Sequence, residues 1–216
     1  MSISENLLSI QSKLPENVTL VAVSKTKPVS DLMEAYDAGQ RIFGENKIQE
    51  MSEKWEQMPN DIQWHMIGHV QSNKVKFMAP FVSLIHGVDS LKLLEEINKQ
   101  ALKNNRIINC LLQIHIAEEE TKFGLDKNEL ETLLASETYQ KLKNINVLGI
   151  MGMATFTDNQ EQIKKEFTYL KSIFEKVRTE NSQFTILSMG MSGDFQLAIA
   201  CGSSMVRIGS SIFGSR

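Results

Sequence analysis

Short, β-rich apolar segments alternate with segments of helical periodicity along the chain, and this alternation limits the possible folds more than any other feature. Eight segments predict strands: 18–24, 41–44, 63–68, 83–88, 107–116, 147–154, 184–189 and 205–213. Apolar residues at helical spacing, with charged residues between them, lie at 30–38, 91–102, 128–134 and 160–178. Crossovers of this length favour parallel strands, and eight β–α units are the number that closes a parallel sheet. The sequence therefore predicts an α/β fold, a TIM-like (β/α)8 barrel.

The competing α/β fold is a doubly wound open sheet, which normally has a glycine-rich phosphate-binding turn after its first strand. Here the first apolar segment is followed by Ser24-Lys25-Thr26-Lys27-Pro28, which disfavours that alternative. A helical segment at 4–13 precedes the first strand, an unusual feature for a barrel. Because no linker or internal repeat divides residues 1–216, we expect a single barrel domain with an extra N-terminal helix.

The charge balance and the apolar segments exclude several classes of partner. The 23 basic and 26 acidic residues are interspersed and give a net charge of -3, so a nucleic-acid partner is not expected. No window approaches the roughly 18 uninterrupted apolar residues of a membrane span, and the N-terminal segment is not a signal peptide. Cys110 and Cys201 lie in apolar segments, which predicts buried free thiols, and no histidine has metal-ligand spacing. We expect a cytoplasmic protein, and a monomer because no apolar stripe indicates a partner.

Active sites of barrels form at the carboxyl ends of the strands, so the polar residue that ends each apolar segment is a candidate. Lys25 ends the first segment, where a partly dry barrel mouth would disfavour its ammonium form. A neutral amine at that position can form an imine with a carbonyl compound. The alternative is a solvated loop lysine next to Lys27, and spacing alone leaves both interpretations open.

Asn46 follows the second segment and His65 lies in the third. Asn46 could hydrogen-bond a ring substituent, and His65 could orient a neighbouring group or carry a proton near neutral pH. Turn formation or helix capping explains Asn46 equally well, and a hydrogen-bonded core histidine is the alternative for His65. Four methionines at i, i+2 spacing could face a flat aromatic ring, although core packing explains them as well: Met151, Met153, Met189 and Met191. The acidic run 118–120 is interpreted as a solvated loop.

Small residues follow the last two strands, in Ser188-Met189-Gly190-Met191-Ser192-Gly193-Asp194 and in Gly209-Ser210-Ser211. They allow backbone N–H groups to approach an anion, and the same region of a barrel commonly binds phosphate. Ser192, Gly209 and Ser210 are the natural donors, with tight turns as the alternative interpretation. Arg207 lies inside the last strand, where an unpaired guanidinium is costly and requires an acceptor. A pyridine nitrogen would serve, and it would stay unprotonated because arginine retains its proton.

Taken together, these segments resemble the pyridoxal phosphate homeostasis protein family. The motifs occur in order over nearly the whole chain: Ala22-Val23-Ser24-Lys25-Thr26-Lys27-Pro28, Phe43-Gly44-Glu45-Asn46 with Gln49-Glu50, Trp64-His65 with Ile67-Gly68 and Gln71-Ser72-Asn73-Lys74, Ser188-Met189-Gly190-Met191-Ser192, and Val206-Arg207-Ile208-Gly209 with Ile212-Phe213-Gly214. The combination is specific, whereas each piece alone is weak.

The resemblance implies a barrel similar to the N-terminal domain of alanine racemase, a fold type III protein, with pyridoxal 5'-phosphate bound as a Schiff base (internal aldimine) to Lys25. It also implies that Arg207 faces the pyridine nitrogen and that Ser192, Gly209 and Ser210 hold the phosphate. With Asn46, His65 and Met151, these are the predicted cofactor-binding residues, and no catalytic or metal-binding residue is assigned. Three positions depart from the family's usual residues and leave local contacts open: Lys47, His69 and His115.

Two classes of function are compatible with this barrel. The family's role is to buffer and deliver pyridoxal phosphate and to balance amino and keto acid pools, with no robust turnover, and apo-enzymes that use the cofactor are possible partners. The alternative is a pyridoxal-phosphate-dependent racemase or decarboxylase. Racemases of this class use a second acid/base, a tyrosine supplied by an additional domain. This chain is expected to stop before such a domain. All three tyrosines fall in predicted helices or at helix ends, away from the strand termini: Tyr36, Tyr139 and Tyr169. A third possibility is an unrelated barrel enzyme in which Lys25 forms an imine with a phosphorylated sugar.

Overall fold

The computed structural model describes residues 2–119 and 123–214. Its strands are Thr19–Val23 (β1), Ile42–Glu45 (β2), Gln63–Met66 (β3), Leu84–Val88 (β4), Ile108–Ile114 (β5), Ile145–Gly152 (β6), Ile186–Ser188 (β7) and Met205–Ile208 (β8). Its α-helices are Ile3–Gln11 (α1), Val29–Asp37 (α2), Ile48–Trp55 (α3), Val75–Met78 (α4), Leu91–Lys103 (α5), Lys127–Ala135 (α6), Glu137–Gln140 (α7), Gln160–Glu180 (α8), Phe195–Ala200 (α9) and Ser210–Phe213 (α10). A 3-10 turn, Ser72–Lys74, precedes α4.

The eight strands pair in parallel and in chain order, and β1 closes onto β8 to complete the barrel. The closing register pairs Thr19 with Met205 and Val21 with Arg207. After each strand from β1 to β7, a helix returns the chain to the end of the barrel at which the next strand begins, as parallel pairing requires. The predicted (β/α)8 barrel is therefore confirmed.

Side chains alternate between two packed layers, because successive residues of a strand point to opposite faces. In β1, Val21 lies in the barrel interior, whereas Leu20 and Ala22 face the helices. The interior core is small and contains Val21, Leu84, Leu111, Met151 and Met205. The larger core lies between strands and helices and includes Phe43, Trp64, Phe167 and Phe184, which are at most 1% exposed. Packing at the barrel centre leaves the carboxyl ends of the strands as the open face.

The predicted N-terminal helix is present as α1 and packs on α2 and α10. Ser2 and Glu5 form a reciprocal capping box that satisfies N–H groups at its start. The Asn6 amide donates to the carbonyl of Ile212 over 3.1 Å, and the Ser4 N–H donates to Glu34 over 3.0 Å. The helix therefore supports α10, the last described helix of the chain.

Two sequence predictions need correction. The segment 205–213 is not one strand: β8 ends at Ile208, and Ser210–Phe213 forms a helical turn. The N–H groups of Ile212 and Phe213 donate to the Gly209 carbonyl instead of to a neighbouring strand, and the turn buries both side chains. Cys110 is a buried free thiol as expected, but Cys201 is half-buried because it caps α9. Within 2–119 and 123–214, no helix combines the length and apolarity needed to cross a membrane.

Candidate functional site

A cavity of about 830 Å³ opens at the carboxyl ends of the strands. Six of the eight residues predicted from the sequence line it: Lys25, Asn46, Ser192, Arg207, Gly209 and Ser210. They follow β1, β2, β7 and β8, except Arg207, which lies within β8. Their convergence follows from the parallel barrel, which brings the carboxyl ends of all strands to one face.

The remaining two predicted residues, His65 and Met151, lie one layer deeper and are not among the lining residues. His65 is 4% exposed and hydrogen-bonded within the barrel, and Met151 is fully buried in the interior core. Two other methionines of the predicted set line the cavity instead: Met153, two residues further along the chain than Met151, and Met191. The sequence identified the correct strands but did not fix the depth at which the cavity floor lies.

The turn that carries Lys25 is held in an unusual backbone conformation. Thr26 has a φ of 63°, a left-handed value that a β-branched residue rarely adopts. Its N–H donates to Glu50 Oε1 over 2.5 Å, and the Lys27 N–H donates to the Ser24 carbonyl over 3.1 Å. Strain of this kind persists only where surrounding contacts impose it. These bonds fix the backbone on both sides of Lys25.

A buried ion cluster lies directly behind this turn. Lys54 Nζ donates to Glu45 Oε1 and Glu50 Oε1, each over 2.7 Å, and to the Ser24 carbonyl over 2.8 Å. Glu45 is fully buried and also accepts the Ser24 hydroxyl over 2.6 Å. Burial raises the pKa of Glu45, against the opposing effect of the bonds from Lys54 and Ser24. The sequence analysis did not single out Lys54, because its bonds to Ser24 and Glu45 depend on how α3 packs behind the β1 turn.

Arg207 supplies the positive charge at the cavity floor. It is 4% exposed, and its Nη1 donates to Ser188 Oγ over 2.6 Å while Nη2 donates to the Gly152 carbonyl over 3.1 Å. Burial lowers the pKa of Arg207 to about 10, and the charge of Asp194 acts in the opposite direction. The guanidinium is therefore charged at neutral pH and held from two sides.

Behind Arg207, two histidines extend the hydrogen-bond chain across the barrel interior. His86 Nδ1 is 3.2 Å from Ser188 Oγ, and His86 Nε2 is 3.1 Å from His65 Nδ1. Burial lowers the pKa of His65 to about 3 and that of His86 well below its ordinary value, with Arg207 adding repulsion at His86. Both rings are neutral at physiological pH. Sequence reasoning assigned no individual role to His86 or Ser188, although histidines in adjacent apolar strands were a usable signal.

These buried histidines predict acid-sensitive stability. Their pKa values are depressed in the folded state, so their contribution is complete above the ordinary value of 6.5 and is lost as pH falls below it. For His65, a fall to pH 5 spans about 1.5 units at about 1.4 kcal/mol each, or about 2 kcal/mol. Urea unfolding at pH 7 and pH 5 should show this loss, and His65→Asn should reduce it. Ile85→Val, a nearby core change without a titrating group, should leave the pH dependence intact.

The predicted anion-binding residues meet at one end of the cavity. The Gly209 N–H donates to Ser192 Oγ over 3.2 Å, which joins the two loops. A Cβ on Gly209 would come within 3.0 Å of the Val23 carbonyl oxygen, so only glycine fits there without a shift. Ser210 and Ser211 line the same end, where the first N–H groups of a helix have no partner within the helix. Hydroxyl and N–H donors in a tight cradle suit a phosphate group.

The three residues that depart from the family pattern occupy different places. The His69 ring stacks on Phe123 at the cavity rim, with 3.9 Å between ring centroids, and lies 3.4 Å from Asp89. Lys47 lines a neighbouring groove of about 290 Å³, and His115 contacts the Glu119 carbonyl over 3.0 Å. Of these three, His69 alone is a lining residue of the large cavity. Residue 120 of the acidic run lies outside the described residues.

The barrel and its cavity define the class of the protein. A family model described as alanine racemase, N-terminal domain, matches residues 1–216. The alanine racemase of Bartonella henselae has a TM-score of 0.75 at 19% identity, over 99% of this chain and 58% of that chain, which shows a shared fold.

More similar proteins identify the family within this class. The pyridoxal phosphate homeostasis protein of Pasteurella multocida is 39% identical over 231 residues, which cover 100% of this chain and 98% of that protein. That of Aquifex aeolicus is 39% identical over 199 residues, covering 91% and 86%. The structure of PipY from Synechococcus elongatus, with pyridoxal phosphate bound, has a TM-score of 0.90 at 34% identity and covers 99% and 100%. This chain belongs to the pyridoxal phosphate homeostasis protein family.

Proposed function

We propose that this protein binds pyridoxal 5'-phosphate through Lys25, and that it buffers and delivers the cofactor and supports amino and keto acid homeostasis without robust catalytic turnover. The observation that carries the proposal is the convergence of three groups on one cavity: the Lys25 amine, the buried Arg207 cation and the Ser192–Gly209–Ser210 cradle. An amine, a fixed cation and an anion cradle match the carbonyl, ring nitrogen and phosphate of this cofactor.

The donor set fits the cofactor in kind and in size. Lys25 would hold the carbonyl carbon, and Arg207 would donate to the pyridine nitrogen. The cradle of Ser192, Gly209 and Ser210 would hold the phosphate. The cavity lies within the 300–1,000 Å³ range of small-molecule sites. When bound, pyridoxal phosphate supplies an electron sink for amino groups. A charged Arg207 would keep the ring nitrogen unprotonated and so weaken that sink.

The placement of the tyrosines supports binding over racemisation. A racemase needs a second acid/base on the opposite face of the cofactor. Tyr36, Tyr139 and Tyr169 lie in α2, α7 and α8, and none of them is a lining residue of the cavity. The Tyr36 hydroxyl donates instead to Asp61 over 2.8 Å. We therefore propose a carrier, and not an enzyme, with apo-enzymes that require the cofactor as its partners.

We also propose that the chain acts as a single-domain monomer. The large apolar side chains that are exposed, such as Leu8, Phe77, Leu102 and Phe156, come from different elements of the described chain. Singly exposed apolar residues are normal for monomers. Sedimentation of the loaded protein measures the state directly.

The carrier proposal is tested by incubating the protein, loaded with pyridoxal phosphate and freed of excess, with an apo-enzyme that requires it. Recovery of the apo-enzyme's activity is expected, together with loss of the cofactor signal from this protein. Alanine racemisation by the loaded protein alone is expected to be negligible. Turnover of about 1 per second or faster would establish the enzyme alternative instead.

A further inference from the structure

We propose that His86 is a positioning residue for the cofactor site: acting through Ser188, it fixes the orientation of the Arg207 guanidinium at the cavity floor. The inference rests on the proposed binding of pyridoxal phosphate and adds to it the residues that hold its ring-facing cation. His86 lies in β4 and Ser188 at the end of β7, so neither is adjacent to Arg207 in sequence.

The hydrogen-bond chemistry fixes the role of each group. A guanidinium only donates, so Ser188 Oγ accepts from Arg207 Nη1 over 2.6 Å. The Ser188 hydroxyl hydrogen then needs an acceptor, because an unsatisfied buried donor is costly. His86 Nδ1, at 3.2 Å, is positioned to accept it. This direction leaves the Ser188 lone pairs facing the guanidinium.

The same assignment extends to His65. Because His86 Nδ1 accepts a hydrogen bond, a neutral His86 carries its proton on Nε2. That N–H donates to His65 Nδ1 over 3.1 Å. His86 and Ser188 are fully buried and His65 is 4% exposed, so water does not compete for these bonds. Arg207 acts on His86 through its charge, and Asp194 acts on Arg207 in the same way. A protonated His86 would place a second cation beside Arg207, and the neutral chain avoids that repulsion.

Orientation matters because Arg207 is the cation that we assign to the ring of the cofactor. Its Nη2 is anchored to the Gly152 carbonyl, and Ser188 provides the second anchor. With the second anchor lost, the guanidinium can rotate about the first. When the guanidinium is held less closely to the cofactor, its positive charge lowers the pKa of a titrating group of the cofactor less strongly.

The test compares His86→Leu with His86→Asn, whose amide oxygen can replace Nδ1 as the acceptor. Each purified variant is titrated with pyridoxal phosphate, and the absorbance of the bound cofactor is then followed as a function of pH. His86→Leu is expected to weaken binding roughly tenfold, the lower range for a bond to a charged group. It should also move the absorbance transition, the pH at which the absorbance of the bound cofactor changes, to a higher value. His86→Asn should restore both the affinity and this pH towards the wild-type values.

Two controls separate positioning from general loosening of the core. Ile85→Val alters the neighbouring residue of β4, which packs in the outer core, and should leave the transition unchanged. In a Ser188→Ala background, His86→Leu should add little, because contacts in one network are not additive. Ser188→Ala also carries the test if His86→Leu does not fold.

The outcomes are distinguishable. The positioning role would be overturned if His86→Leu and Ser188→Ala had the same affinity and the same absorbance transition as Ile85→Val. The cofactor proposal would then remain intact. Failure of the wild-type protein to bind pyridoxal phosphate at all would overturn both.

Discussion

Replacing Lys25 with alanine is expected to abolish the absorbance band of covalently bound pyridoxal phosphate. The turn after β1 directs Lys25 into the cavity, and its amine is the group that we assign to the cofactor carbonyl. Absorbance spectra of wild type and Lys25→Ala, each titrated with pyridoxal phosphate, measure the effect. The loss should be complete, since Lys27, the other lysine among the described lining residues, has its amine bonded to the Phe213 carbonyl.

Lys27→Ala is the matched control for this prediction. Lys27 lines the same cavity two residues away, but its Nζ donates to the Phe213 carbonyl over 2.8 Å. The Lys27→Ala variant should therefore keep the covalent band. A band that survives in Lys25→Ala and disappears in Lys27→Ala would contradict the prediction, because it would show that the cofactor is attached to Lys27.

Lys54→Met is expected to cause the largest loss of stability among the single changes considered. Removal of one partner from a buried ion pair leaves the other charge uncompensated, which costs about 3–5 kcal/mol. Glu45 would lose its bond from Lys54, as would Glu50 and the Ser24 carbonyl. At about 2–4 °C per kcal/mol for a chain of this size, the melting temperature should fall by roughly 10 °C.

The exposed pair of Lys141 and Glu137 provides the control. Their side chains are 75% and 88% exposed and lie 3.3 Å apart, so Lys141→Met should leave the melting temperature nearly unchanged. Equal melting temperatures for Lys54→Met and wild type would contradict the structural role of the buried cluster. Because the cluster also holds the Thr26 turn, Lys54→Met should weaken pyridoxal phosphate binding as well.

The sequence was sufficient to predict the barrel, because its signal is periodic and repeated. Eight apolar segments separated by helical periodicity determine the strand order once parallel pairing is recognised. The boundaries were less accurate at β8, where Gly209 ends the strand and Ser210–Phe213 turns back as α10. An apolar Ile-Phe pair is compatible with either a strand or a helical turn, so periodicity over a few residues did not separate them.

The cavity residues were predictable where they follow a strand within a few residues, as Lys25 and Ser192 do. His65 and Met151 illustrate what the sequence left open, since both lie on the predicted strands but below the cavity floor. Supporting contacts such as the Lys54 and His86 bonds join residues that are distant in sequence, 30 residues apart for Lys54 and Ser24 and 102 for His86 and Ser188. Such pairings depend on the register of the barrel, which a single sequence does not specify.

The central claim is that pyridoxal phosphate attaches to Lys25. The most direct measurement is borohydride reduction of the wild-type protein after incubation with the cofactor, followed by peptide mass spectrometry. We predict the reduced pyridoxyl label on Lys25, in the peptide that contains Ser24-Lys25-Thr26-Lys27-Pro28. An unlabelled protein, or a label located on another lysine with Lys25 unmodified, would contradict the account.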